Sequence, residues 1–523
     1  MKINILDCTL RDGGYMNDWA FSNKEITHIL QTLEESKVEV IECGYLDSKR
    51  GQTENSTLFD TLETVDALLK NYKLTTQKVV MINLGDYEIS ELKPKNETLI
   101  DGIRLAFHKK DLNEALLASE IIKDLGYKLY FQPMVTKNYK DVEFLAMIEK
   151  ANKVNPHAFY IVDSFGSMSL DEFNKYLILS HHNLETQIQL GYHSHNNMQL
   201  AFSNAVSMCT ANMQRDLILD ASIYGIGRGA GNLNTELITD YLNSAFSKQY
   251  NILPLLECID ELLSSMMQKN PWGFSPAQYL SASLNCHPNY ATYLINKNTK
   301  HIVGVQKILE KLPSNKKSSF DKGFIENLYV ESLLEIKTAL RGTLDIDKKV
   351  LLVASGRSVQ KYKDTIEKRV ADEDYTVIAL NHKPSFDCDY YFFSNQKRFD
   401  EFSDKVEKNK IVITSNIFTN IDLNIVLDFK NLVFIDDRLV TNVAMVALNY
   451  LVYKSIADVE VAGLDGYRVD IDNYNYQETT VITDTKELME QNSIIGESLK
   501  SLSQKIDIKF LTPTIFYNEA GLC

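Results

Sequence analysis

The sequence predicts an α/β protein: a (β/α)8 TIM barrel, then a helical segment, then a C-terminal Rossmann-like open α/β domain. Three observations carry this. Apolar, strand-like runs alternate with segments of helical period, eight times within roughly the first 240 residues, the count of a (β/α)8 barrel. Polar side chains capable of chemistry fall where those runs end, the face on which barrel sites are built. A second strand–helix alternation restarts at residue 349. A doubly wound open sheet is the alternative for the first half.

The strands are expected to begin near residues 3, 38, 78, 102, 128, 158, 187 and 219. The first, INILD, runs into Cys8-Thr9-Leu10-Arg11-Asp12-Gly13-Gly14-Tyr15. Its two glycines would allow a tight turn and close approach of a substrate to the backbone. Residues 23–36 read as a helix with Ile26, Ile29, Leu30 and Leu33 on one face. The later helices LFDTLETVDALLKNY, DLNEALLASEIIKDLGY, DVEFLAMIEKANKV, LDEFNKYLILSHH and NMQLAFSNAVSMCTA separate the remaining strands. Residues 251–345 read as helical, interrupted at NPWGFSP and NCHPNY, with 313–322 as an exposed loop. The histidine of NCHPNY reads as part of a packed helix–loop junction. The expected domains are 1–275, 276–345 and 346–523. In the last, KVLLVASGRS, TVIALNH, YYFFS, KIVITS, LVFID and DVEVAGLDGY are the strand candidates, and SVQKYKDTIEKRV and TNVAMVALNYLVYKSI the helices.

With 523 residues, 44% hydrophobic and 24% charged, the chain has the composition of a globular protein of more than one domain. A net charge of -15 argues against nucleic acid or an anionic membrane as partner, so an anionic substrate must be drawn by a local cluster. Seven scattered cysteines without a CxxC fit reduced thiols in a cytoplasmic protein. The N-terminal residues lack the apolar core of a signal peptide. No run approaches the roughly 20 apolar residues of a membrane helix.

His193-Ser194-His195 is the strongest single motif. In a strand, residues i and i+2 share a face, so two imidazoles at a strand end can share one metal. An aspartate from another strand would complete a set of two nitrogens and one oxygen, leaving positions open for substrate oxygens. Glu42 in IECGY could hydrogen-bond Arg11 and hold it in place. Arg104 could bind a substrate carboxylate or pair with an acidic neighbour. Asp163-Ser164 could contact substrate or support the groups that do. Gly356-Arg357-Ser358, between a strand and a helix, could present backbone N–H groups and a guanidinium to a phosphate.

LDCTLRDGG, the HSHNN strand end and GIGRGAGNLNTE, in that order at strands one, seven and eight, resemble the metallolyase (HMGL-like) barrel superfamily. This superfamily includes 4-hydroxy-2-oxovalerate aldolase, 3-hydroxy-3-methylglutaryl-CoA lyase and the isopropylmalate and homocitrate synthases. The resemblance covers roughly residues 1–300 and is closest to the aldolases. It implies a divalent cation, Mn2+ or Mg2+ first and Zn2+ or Co2+ next, held by Asp12, His193 and His195 with Asn232 as a fourth ligand. It gives Arg11 the role of stabilising an enolate oxygen.

The base does not carry over. The aldolases have a histidine three residues after the metal aspartate, where this chain has Tyr15; the synthases have Glu-Gln at the position of Gly14-Tyr15. Tyr15, His108 or Glu42 could serve instead. The expectation is a homo-oligomeric, metal-dependent carbon–carbon lyase or aldolase acting on a pyruvate-type 2-oxo acid and a carbonyl partner. The C-terminal domain would bind a phosphorylated or nucleotide-linked ligand. The alternatives are a Claisen-type acyl-CoA synthase and a non-catalytic scaffold.

Overall fold

A computed structural model describes residues 1–50, 55–297, 299, 302–335, 339–468, 473–474 and 485–517. Eight parallel strands of its N-terminal half are β1 (Ile3–Asp7), β2 (Val40–Leu46), β3 (Gln77–Asn83) and β4 (Gly102–Phe107), then β5 (Lys128–Pro133), β6 (Ala158–Asp163), β7 (Gln189–Ser194) and β8 (Leu217–Ala221). Each starts within two residues of its expected position. β1 pairs with β2 on one side and, from Ile3↔Leu217 to Asp7↔Ala221, with β8 on the other. That closure makes a barrel and excludes the open sheet. A two-residue strand, Leu58–Phe59, adds to β2 outside the eight.

The strands are apolar along most of their length because both faces are covered. Leu6, Val40, Val79, Tyr130, Tyr160, Val162 and Ile218 fill the barrel interior. The outer faces pack on helices through residues such as Ile26, Ile29, Leu30 and Leu33. Two of those helices open on a reciprocal cap: Ser22 with Glu25, and Ser169 with Glu172, exchange side-chain and backbone hydrogen bonds. A filled interior leaves only the rim for chemistry.

The chain forms two compact units, residues 1–293 with 305–322, and residues 294–304 with 323–523. Between 276 and 335 lie helices Pro276–Ser283, Pro288–Asn296, Ile302–Glu310 and Lys322–Glu335. The loop expected at 313–322 contains a helical turn, Ser314–Lys317.

The second unit contains a seven-stranded parallel sheet: β9 (Lys349–Val353), β10 (Tyr375–Leu380), β11 (Tyr390–Phe393), β12 (Ile411–Thr414), β13 (Ile425–Leu427), β14 (Asp458–Ala462) and β15 (Asp507–Phe510). Its order, β13-β12-β11-β10-β9-β14-β15, reverses direction once, between β9 and β14. LVFID does not join this sheet. Phe434–Ile435 instead pairs antiparallel with Arg438–Leu439. The helix expected from Ser358 breaks at Tyr362 into Ser358–Lys361 and Lys363–Val370. Among the described residues no helix is long and apolar enough to cross a membrane.

Candidate metal centre

The exit of β1 is pinned before it reaches its charged residues. Asp7 Oδ1 accepts from the Thr9 backbone N–H at 2.9 Å and Oδ2 accepts from the Thr235 hydroxyl at 2.6 Å. One helical turn, Thr9–Asp12, then carries Arg11 and Asp12 onto the rim. The glycines that follow serve packing, which differs from the substrate-approach role expected of them. A Cβ on Gly13 would lie 2.9 Å from Ile226, and one on Gly14 would lie 2.1 Å from the Trp19 indole. That indole donates to the Arg11 carbonyl at 2.8 Å.

The buried charges close into a ring. Arg11 Nε donates to Glu42 Oε2 at 2.8 Å, and Arg104 Nη1 reaches the same oxygen at 2.5 Å. Arg104 Nη2 pairs with Asp220, whose Oδ2 bonds His193 Nδ1 at 2.9 Å. His193 Nε2 faces Asp12 Oδ2 at 3.4 Å, and Arg11 Nη1 faces the same oxygen at 3.4 Å. Two guanidiniums thus meet three carboxylates around an imidazole, all six side chains at most 6% exposed. Gln132 on β5 presents its carbonyl oxygen to Arg104 Nε at 2.7 Å, with its amide turned so that oxygen faces the guanidinium. Arg104 therefore takes the second role open to it in the sequence, pairing with acidic neighbours, and is fully buried.

Several acceptors in this region have no donor. Neither oxygen of Asp12 accepts a hydrogen bond, nor does His195 Nδ1 or Asn232 Oδ1. Asn232 Nδ2 is used on the Ile226 carbonyl at 3.1 Å, which fixes the amide. His195 and Asn232 share an isolated antiparallel bridge, and the His193 and His195 rings stand 5.4 Å apart. Buried acceptors without donors are costly. A carboxylate, two imidazoles and an amide oxygen are a donor set that suits a divalent cation. The residues expected as ligands therefore fit one. Cys8 is an addition: its Sγ, an Asp12 oxygen and a His193 nitrogen all lie within 4.8 Å of one another.

The electrostatics agree with that use. Burial would raise the Asp12 carboxyl, but Arg11, then His195 and His193, outweigh it and hold it well below the usual carboxylate range. Burial pushes His195 down to about 3, leaving a neutral imidazole. Burial also lowers His193, yet the nearby Asp12 carboxylate and its bond to Asp220 more than compensate and its pKa is raised. Asp220 orders His193 as a carboxylate orders a metal-bound histidine. It was missed in the sequence, although an aspartate inside the apolar run LILDA is itself a sign of a buried partner.

The remaining candidates fall into two groups. Tyr15 stands at the rim, 39% exposed, against Trp19, with Arg228 over its ring at 5.1 Å. His108, in the loop after β4, is lowered by burial. His287 does more than fill a helix–loop junction. Its ring lies 6.1 Å from Phe165 and it feels the charges of Arg228, His108 and His195. Asp163 and Ser164 brace loops: Asp163 accepts from Ser167 and Met168 N–H, and Ser164 Oγ accepts from Val135 N–H.

In the second unit the turn after β9 is already occupied. Ser358 N–H donates to Asp465 Oδ2 at 2.8 Å and its hydroxyl also bonds Asp465, while Gly356 N–H donates to the Gly463 carbonyl at 2.9 Å. At the switch point of the sheet, Ser358 thus faces a carboxylate of the same unit and Gly356 N–H a backbone carbonyl, instead of a phosphate. Arg357 is exposed.

Residues 103–256 match the HMGL-like family model. That stretch runs from within β4 to past β8. Over 274 residues the chain is 24% identical to a 4-hydroxy-2-oxovalerate aldolase of Carboxydothermus hydrogenoformans, covering 51% of this chain and 79% of that one. A protein of the same name from Geobacillus genomosp. 3 is 26% identical over 46% of this chain and 70% of its own. Among solved structures, the N-terminal domain of a candidate aldolase from Bacteroides vulgatus is 26% identical, covers 56% of this chain and 96% of that one, and gives a TM-score of 0.48. These proteins are what the chain is similar to; none is what it is.

Proposed function

We propose that the HMGL-like barrel is a divalent-metal-dependent carbon–carbon lyase of the aldolase type, acting on a 2-oxo acid through its enolate. The observation that carries this reading is the cluster of donorless buried acceptors on Asp12, His195 and Asn232, beside an ion-paired Arg11. The names of the curated relatives support the reaction class.

Asp12, His193, His195 and Asn232 would hold the cation, with Cys8 next to them. When bound, a divalent ion supplies Lewis-acid stabilisation of the charge that builds on the 2-oxo group. Arg11 has a buried Nη2 with no acceptor, aimed from a guanidinium that Glu42 fixes through Nε. That N–H is available to the enolate oxygen as carbon–carbon cleavage places charge on it. Glu42 is a positioning residue, because its Oε2 is committed to two arginines. Cleavage requires a group to take the proton of the substrate's 4-hydroxyl. Tyr15 fills that role here: it stands at the rim, with the Arg228 guanidinium over its ring.

Elemental analysis tests the metal. One divalent ion per chain is expected, lost in Asp12→Ala and His193→Ala; unchanged content in both variants would sink the reading. Methyl-proton exchange of pyruvate in deuterated water tests the enolate, with exchange expected from the metal-loaded protein and abolished in Arg11→Ala. Thiol release from an acyl-CoA without pyruvate exchange would point to the synthase instead. A phosphorylated ligand for the second unit would have to displace Asp465 from Ser358.

A further inference from the structure

The rim of the barrel carries donors that enolate chemistry does not use. Arg228 lies in the loop after β8, and its Nε is buried with no hydrogen-bond acceptor. The buried arginines of this unit have acceptors on their other nitrogens, although Arg11 Nη2 and Arg215 Nε also lack one. Arg11 and Arg104 have carboxylates, and the terminal nitrogens of Arg215 reach the carbonyls of His181, Leu184, Glu185 and Ile188. Among the described residues Arg228 has no carboxylate partner. Its guanidinium is held from one face by Tyr15, which in turn packs on Trp19 at 4.7 Å.

Its backbone is equally fixed. Gly229 takes φ +70° and a Cβ there would lie 2.7 Å from Asn197 Oδ1, the atom that accepts from Ala230 N–H at 2.8 Å. The side chain is thus presented from a rigid loop.

His287 completes the arrangement. After burial, the first influence on its ring is Arg228, followed by His108 and His195. Its Nδ1 accepts from the Asn289 N–H at 3.2 Å and its own backbone N–H donates to the Lys317 carbonyl at 2.7 Å. With Nδ1 used as an acceptor, the neutral ring carries its proton on Nε2 and is a donor there. Without a carboxylate partner among the described residues, Arg228 is a local positive charge, felt at the His287 ring, on a chain of net charge -15. Arg228 as a whole is partly exposed, but its Nε is buried, and a buried donor without an acceptor is costly until one arrives.

We propose that Arg228 binds a second anionic group of the substrate: a carboxylate or phosphate at the end remote from the 2-oxo acid. This rests on the aldolase reading and adds its substrate class, a carbonyl partner with an acidic terminus. It is also a reason for Tyr15 at the rim, whose ring orients the guanidinium.

The test is condensation of pyruvate with aldehydes matched in length and ending in a carboxylate, a phosphate or a neutral group. Metal-loaded wild-type protein is expected to favour an acidic terminus in kcat/KM by about tenfold or more, the range of a charge-assisted hydrogen bond. Which acidic terminus leads identifies the anion. In Arg228→Gln the acidic-to-neutral ratio should fall close to one through KM, with Arg228→Lys between. A wild-type ratio at or below one, or the same ratio in Arg228→Gln, overturns the proposal. Pyruvate proton exchange by the wild-type sample is read first. If it is absent, the aldolase reading fails and Arg228 is tested by calorimetric binding of succinate, inorganic phosphate and succinamide to the metal-loaded full chain. Binding of succinate or phosphate, not succinamide, that is lost in Arg228→Gln supports the anion site. Equal binding in both proteins, or none in the wild type, overturns it.

Discussion

Asp220 shows how one residue outside the expected set controls the others. It bonds His193 Nδ1 and pairs with Arg104, so it sets both the ring orientation and the charge of the β4 brace. Asp220→Asn keeps the volume and removes the charge. Metal affinity should fall by about 10- to 100-fold, the usual cost of losing the carboxylate behind a ligating histidine. A competitive chelator titration measures this, and circular dichroism checks that the fold is retained. Unaltered affinity would mean His193 is oriented without it. At this scale the sequence was legible where a residue's chemistry is unusual for its place. Arg11, Asp12, His193 and His195 stand out at strand ends. Cys8 did not, since it looks like an ordinary strand exit, and Asp220, unusual within its apolar run, has no visible partner until the barrel closes and brings β1, β7 and β8 together.

The two ends of the barrel strands treat histidine differently. His193 and His195 lie at the C-terminal ends, among charges. His157 lies just before β6 at the opposite end, where conservation of shape and stability is the business of the face. It contacts Gln189 at 3.2 Å and the Tyr130 ring at 5.2 Å, and burial pushes its pKa down to about 4. A histidine depressed on folding contributes stability that is present above its unfolded pKa, near 6.5, and is lost as pH falls through the folded value. Between about pH 6.5 and 4 the loss should approach 2–3 kcal/mol. Denaturant unfolding across that window should be flatter in His157→Gln than in the wild type. An equal slope would remove His157 from the acid response. Element positions in the barrel followed from periodicity, because parallel strands buried on both faces are continuous apolar runs. In the second unit, β13 and β15 are three and four residues long, too short to show a period, and LVFID has a strand's composition but is used in a small antiparallel pair.

The molecule divides into two compact units with their own apolar cores. Leu352 on β9 is fully buried in the second of these. Leu352→Ala should cost about 2–5 kcal/mol. Calorimetry of the full chain should show two transitions, of which Leu352→Ala lowers one and an added divalent metal raises the other. A single transition shifted by both would show that the units unfold together.

The sequence by itself determined the (β/α)8 barrel, the parallel α/β sheet beyond it and the rim on which chemistry falls. Local periodicity and strand-end polarity are properties of the chain alone. Only the tertiary structure decided the ring linking Arg11, Glu42, Arg104, Asp220, His193 and Asp12, the closeness of Cys8, the occupation of the Ser358 turn by Asp465 and the packing of Arg228 over Tyr15. Most of these join residues distant in the chain, such as Arg11 and Glu42, 31 positions apart, Ser358 and Asp465, 107 apart, and Arg104 and Asp220, 116 apart. Partner choice among buried charges depends on which strands close against each other, and that is fixed by packing of the whole barrel.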